Sequence, residues 1–193
     1  MKLVATPLPG VVIVEPTAFA DERGWFMETF NEPRWQSALQ ALDMPAPRPF
    51  VQDNHSCSQA GVLRGLHYQL PPHAQGKLVR VVQGAAFDVA VDIRQGSPTF
   101  GKWHGVELSA TNRLQLWVPE GFAHGFVALS DDTHFVYKTT DVYARDCERI
   151  IRWDDPELAI AWPLSRDRLQ LAPKDEAAPL LAQADLPPWV SRS

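Results

Sequence analysis

The sequence predicts an all-β chain built as a jelly-roll barrel with a few short peripheral helices. Three observations carry that expectation. Apolar and polar residues alternate with a period of two in many short runs. Turn-forming residues, including 17 prolines and 11 glycines in 193 positions, separate those runs. Helical periodicity is clear in only one stretch. Many short strands at this spacing bury their apolar faces by curling two sheets together, which also shortens exposed edges and leaves a mouth that can hold a small ligand.

The elements follow in order. VVIVE (11–15) and WFMETF (25–30) read as strands, and NEPRWQSALQALD (31–43) reads as the one helix. There Asn31 can cap, Pro33 sits in the first turn, and Trp35, Ala38, Leu39 and Leu42 share a face. Further strands are KLVRVV (77–82), AFDVAVDIR (86–94), HGVELS (104–109), LQLWV (114–118), GFVALS (125–130), HFVYKTT (134–140) and ERIIRW (148–153). Turns fall at Gly84, Gly96-Ser97-Pro98, Pro119-Glu120-Gly121 and Asp131-Asp132. In AFDVAVDIR, Phe87, Val89, Val91 and Ile93 form one face. Asp88, Ala90, Asp92 and Arg94 form the other. Asp88 and Asp92 could orient a histidine inside a barrel, but the expectation is that they are solvated strand-face charges. In KLVRVV, Lys77 and Arg80 fall on opposite faces, so one faces a cavity and the other a surface or an interface.

The chain reads as one domain, 1–193, with 154–193 as a proline-rich C-terminal segment packed on the barrel. The net charge of −5 and the lack of a basic run argue against a nucleic-acid surface held by counterion release. A few converging arginines would still hold a small anionic ligand. No apolar run reaches membrane-spanning length, and the first residues lack the charged and apolar regions of a secretory leader. Cys57 and Cys147 are too few and too distant for a disulfide framework. A cytoplasmic protein with no membrane partner is expected.

The segment GVLRGLHYQLPPHAQGKLVRVVQG (61–84) raises a chemical question. Gly61, His67, position 69, position 77 and Gly84 stand at the spacing of the first cupin motif, and PEGFAH (119–124) resembles the second. In metal-binding cupins those motifs supply three histidines and a glutamate. Here His67 and His124 are present, but Gln69 and Lys77 occupy the other two positions. A protonated ammonium cannot ligate and adds charge where a metal would already be, so no metal is expected. A histidine base near its ordinary titration range, with a cation at the carbonyl oxygen, suits proton abstraction beside a ketone.

FADERGWFMETF (19–30), FVQDNHSCS (50–58), GVLRGLHYQ (61–69), QGKLVRVVQG (75–84), DVAVDIRQGSPTFGKW (88–103), LWVPEGFAHGF (116–126), YKTTDVY (137–143) and IRWDDPELAIAWP (151–163) together resemble the dTDP-4-dehydrorhamnose 3,5-epimerase family, a family of metal-free cupins. The resemblance implies a cupin-type double-stranded β-helix and an isomerase without a cofactor. Its substrate would be dTDP-4-dehydro-6-deoxy-D-glucose, a dTDP-linked 4-keto-6-deoxyhexose, inverted at C3 and C5 on the way to dTDP-L-rhamnose. The resemblance makes His67 the base, Asp175 its carboxylate partner, Tyr137 the acid on the opposite ring face and Lys77 the group at the enolate oxygen. It places Arg23, Glu28, Gln52, Asp53 and Asn54 at the nucleotide, and Arg64, His124, Glu148 and Lys174 at the diphosphate or sugar. It also implies a homodimer whose subunits exchange N-terminal strands.

Plainer roles stand beside these. His124, between Phe122 and Phe126, could be structural, and Tyr137 could be an ordinary strand aromatic. Asp175 could be a helix-start carboxylate. The alternatives for the whole chain are an epimerase acting at one carbon only, a metal-dependent cupin oxygenase, and a non-catalytic sugar-nucleotide binder.

Overall fold

The computed structural model describes residues 1–189. The strands and helices run β1 (Lys2–Ala5), β2 (Val12–Glu15), β3 (Ala18–Asp21), β4 (Gly24–Met27), α1 (Glu32–Gln40), β5 (Gln52–Ser58), β6 (Val62–Gln69), β7 (Lys77–Gln83) and β8 (Ala85–Asp92). They continue with β9 (Trp103–Ser109), β10 (Gln115–Val118), β11 (Phe122–Ala128), β12 (Thr133–Thr139), β13 (Glu148–Ile150), β14 (Gln170–Leu171) and α2 (Pro173–Glu176). One sheet is ordered β1-β2-β10-β7-β12-β5, and the other β13-β6-β11-β8-β9 with β14 added beside β6. Apart from β14, the pairings are antiparallel, and the protein is a cupin-type β fold.

Between the sheets lies an apolar core that includes Val79, Val81, Ala90, Leu116, Phe122, Phe126 and Phe135. Further apolar clusters cover the outer faces. Trp35 and Leu39 of α1 pack on Val12, Val14, Leu78 and Trp117. Burying a large apolar side chain of this kind contributes about 1.5–3 kcal/mol. Asn31 caps the helix by accepting the Arg34 amide at 3.2 Å, worth about 1 kcal/mol. Leu42 lies beyond the helix end and is exposed, so the expected apolar face is one turn shorter.

The outer face of the second sheet is covered by the chain beyond β13. Leu66, Tyr68, Val89, Val91 and Ile93 pack there against Leu158 and Leu181. The segment is tied down where Tyr68 donates to the Asp185 carbonyl and the Leu181 amide donates to Asp155. Residues 190–193 of the expected C-terminal segment lie outside the described residues.

This covering corrects the reading of β8. Its apolar face points outward beneath the C-terminal segment, while Ala86 and Ala90, from the face that carries Asp88 and Asp92, pack in the core between the sheets. Asp88 and Asp92 are therefore fully buried rather than solvated. Asp92 is satisfied by Arg94, Ser97 and Thr99, and Asp88 by His124.

Candidate active site

A cavity of about 300 Å³ opens between the sheets. Eight of the residues expected at the site line it: Arg64, His67, Lys77, His124, Tyr137, Glu148, Lys174 and Asp175. Strict alternation would place Arg64 and His67 on opposite faces of β6. A register shift prevents this. His124 pairs with His67, whereas Phe126 pairs with Arg64, so β6 carries one extra residue and both side chains face inward. Gly65 sits inside this bulge with φ +138°. A Cβ there would lie 2.5 Å from the Gly125 Cα, so only glycine fits.

Asp175 arrives from far along the chain. β14 runs parallel to β6, with Gln170 beside Val62 and Leu171 beside Leu63, and the short helix α2 then turns over β6. Asp175 is at once a first-turn helix residue and the partner of His67, with its Oδ1 2.6 Å from His67 Nε2. The carboxylate holds the ring proton on Nε2 and leaves Nδ1 unprotonated.

Tyr137 stands on the facing sheet, paired with Val79 and Asn54. Burial pushes its phenol up from the ordinary value, with the Glu148 carboxylate adding to the effect and Arg64 opposing it, so the hydroxyl keeps its proton at neutral pH. Lys77 is buried beside them and donates only a long hydrogen bond, 3.4 Å to the His67 carbonyl. Burial pulls its ammonium down to about 8 against the pull of Asp88 and Glu148, which leaves it mostly charged at pH 7. At the mouth, Glu148 accepts the Tyr143 hydroxyl at 3.1 Å and lies 3.4 Å from Lys174.

The other expected residues fall elsewhere. Gln52 and Asn54 sit at the rim, bonded to each other, and Gln52 accepts the Tyr143 amide. Asp53 points to the opposite face of β5 and pairs with Lys138. Arg23 is exposed on the β3–β4 hairpin and pairs with Asp21, while Glu28 accepts from Asn31 and Arg34. Neither reaches this cavity within one chain. Ser56, Gln75 and Tyr143 line it without having been singled out. The period of two in QDNHSCS would have found Ser56 on the side of Gln52 and Asn54.

The cupin metal positions can be tested on their donors. Gln69 is spent on the backbone: its Nε2 donates to the His73 and Val142 carbonyls, and its Oε1 accepts the Ala144 amide. Lys77 carries a proton. Two of the four positions thus offer no donor, and among the described residues no three His, Cys, Asp or Glu side chains are gathered as a metal would need. This donor set does not fit a metal.

Proton transfer beside a carbonyl is the chemistry for which such a cavity is equipped, and it places the molecule among cupin-type carbohydrate epimerases. Comparison with known proteins narrows this. Residues 5–183 match the family model described as dTDP-4-dehydrorhamnose 3,5-epimerase, and the chain belongs to that family. It is 57% identical over 169 residues to the dTDP-4-dehydrorhamnose 3,5-epimerase of Shigella flexneri, covering 88% of this chain and 91% of that protein. The crystal structure of dTDP-6-deoxy-D-glucose-3,5-epimerase RmlC from Legionella pneumophila Philadelphia 1 in complex with dTDP-4-keto-L-rhamnose superposes with a TM-score of 0.92. It is 50% identical, with 98% of this chain and 99% of that one covered. ChmJ, a 3'-monoepimerase from Streptomyces bikiniensis in complex with dTDP-quinovose, superposes at 0.82 with 35% identity, covering 94% of this chain and 88% of that one.

Proposed function

We propose that this chain epimerises dTDP-4-dehydro-6-deoxy-D-glucose at C3 and C5, giving dTDP-4-dehydro-L-rhamnose. The observation that carries the reading is the pairing of His67 with buried Asp175 on one wall and the Tyr137 hydroxyl on the other, with Lys77 between the sheets.

His67 Nδ1 takes the proton α to the 4-keto group, and Asp175 stabilises the resulting imidazolium. The electron pair left on carbon passes to the ketone oxygen, where the Lys77 ammonium meets the developing negative charge. Tyr137 then delivers its proton to the same carbon from the opposite side, and that carbon is inverted. The imidazolium and phenolate reset by exchange with solvent before the second carbon reacts. Arg64, His124, Glu148 and Lys174 contact the sugar and diphosphate, a guanidinium fork suiting phosphate oxygens.

The chain acts as a homodimer in this reading. Among the described residues the β3–β4 hairpin pairs with no other strand and exposes Phe19, Trp25 and Phe26, while β5 is an edge of its sheet. A lone hairpin is marginal in water and an open edge invites pairing, so a second copy that lays its hairpin on this edge answers both. That exchange would carry Arg23 and Glu28 toward the partner's nucleotide, near Gln52 and Asn54. Asp53 belongs with the nucleotide region only through its place on β5. We place the protein in the cytoplasm, acting on its substrate without nucleic acid or membrane. Among the described residues no helix is long and apolar enough to cross a membrane.

NMR of EDTA-treated protein with substrate in deuterium oxide tests the reaction. Loss of the C3 and C5 proton signals with formation of the L-sugar is expected. Exchange at a single carbon would make the chain a mono-epimerase, the second reading, which its likeness to a 3'-monoepimerase favours. The absence of any exchange would overturn both.

A further inference from the structure

Asp88, fully buried and bonded to a histidine that lines the cavity, is left without a task by the mechanism above. Both its oxygens lie within hydrogen-bond distance of His124 Nε2, at 3.1 and 2.9 Å. A buried carboxylate is costly unless charged or strongly bonded partners face it, and His124 is the only side chain that hydrogen-bonds it among the described residues. Because the carboxylate accepts, the ring must carry its proton on Nε2, and His124 Nδ1 has no protein partner among the described residues. That nitrogen belongs to a side chain that lines the cavity directly beside His67.

Asp88 also acts on a second group. Its charge is the largest influence holding the Lys77 ammonium up against burial, with Glu148 next. The other titratable groups that share the cavity with Lys77 are His67 and Tyr68 from β6, His124 from β11, Tyr137 from β12, Tyr143, Glu148 from β13 and Asp175 from α2. Arg64 and Lys174 add positive charge along the same wall. Asp175 is committed to His67, and Glu148 is shared between Tyr143 and Lys174 at the mouth. Asp88 is therefore the buried negative charge not already engaged by the base or by the mouth of the cavity.

Resting on the epimerase reading, we propose that Asp88 is a positioning residue for the reaction: its carboxylate orients His124 toward the sugar and is the counter-charge against which the Lys77 ammonium is set. A reaction that builds an enolate needs a cation at the oxygen, and a desolvated lysine without a counter-charge gives up its proton. One carboxylate behind both groups supplies orientation to the first and charge to the second.

Asp88→Asn separates the two contributions, since the amide oxygen still accepts from His124 while the charge is gone. The variant is expected to lose about tenfold to a hundredfold in kcat, with KM within about twofold, and the basic limb of its pH–rate profile moves down by about one unit. A variant that folds and has the wild-type rate and basic limb would overturn the proposal. If the substitution prevents folding, nitrogen NMR of His124 in the wild-type protein decides instead. Nε2 protonated across the neutral range is expected, and a tautomer protonated on Nδ1 alone would overturn it. Deuterium exchange by the wild-type protein is measured alongside. If the wild type exchanges neither carbon, the epimerase reading falls; if it inverts both while Asp88→Asn is indistinguishable from it, only the role of Asp88 falls.

Discussion

Two histidine–carboxylate pairs share the cavity and differ in where their carboxylates come from. His67, with a side chain 25% exposed, is bonded to Asp175, which a parallel strand and a one-turn helix bring back from 108 residues away. His124, 9% exposed, is bonded to Asp88 of the neighbouring strand β8. The first imidazole is open to the cavity while its partner, carried on the C-terminal segment, is buried. The second is sealed together with its partner. A base must meet its substrate, whereas an imidazole whose Nδ1 only accepts a hydrogen bond need only point at it, so the same pair of residue types serves different purposes at the two depths.

That contrast can be broken by experiment. His67→Asn is expected to lower kcat by about 10³–10⁴-fold with nucleotide affinity retained, because the base disappears and the anion-binding residues do not. His124→Asn should cost roughly 10- to 100-fold. Equal losses measured by steady-state kinetics would erase the distinction between the pairs.

Lys77 lies between the two pairs and connects them. Lys77→Met is expected to cost about 10²–10³-fold in kcat, as for other oxyanion donors. In the wild type the rate should fall as pH rises through about 8, where the ammonium is lost, while the phenol of Tyr137, held up by burial, stays protonated. Stability should move the other way. The folded chain releases this proton at about 8, below the usual 10.5, so the unfolded chain binds more protons between those values and stability rises with pH across that window. The cost is fully present at neutral pH and is on the order of 3 kcal/mol. Lys77→Met should therefore raise the unfolding midpoint at pH 7 while it lowers the rate, and thermal melts of both proteins at pH 7 and 10 would check it. A destabilised methionine variant would mean that the ammonium is better solvated than its burial suggests.

Asp175→Asn is expected to cost about 10- to 100-fold in kcat, the same range as His124→Asn. The amide keeps the ring in place but no longer stabilises the imidazolium, so the loss should be in kcat rather than KM. A pure KM effect would make Asp175 a residue of the helix start alone.

Much of this was legible in the chain. Period-two runs marked most of the strands, and Asn31 with the buried pair Trp35 and Leu39 marked α1. β5 was harder to see because QDNHSCS carries no apolar face: one side meets a polar cavity and rim, and the other is largely solvent-exposed. β8 shows the limit most clearly. Alternation divided its residues correctly into two faces, but it could not say that both would be covered. Local sequence records which side chains travel together, whereas the C-terminal segment that seals the apolar face is a distant partner.

The sequence by itself determined most of the strands, the first helix, the residue types of the cavity and the loss of two donors at the cupin metal positions, because these depend on side-chain chemistry and on a period of two or 3.6 residues. Only the tertiary structure decided that a bulge at Gly65 turns Arg64 and His67 to the same side, that β14 and α2 are the route by which Asp175 reaches His67, that Gln69 clamps backbone, and that Asp88 lies inside. Each of these depends on register or on contacts between residues far apart in the chain, and neither is written in any local pattern.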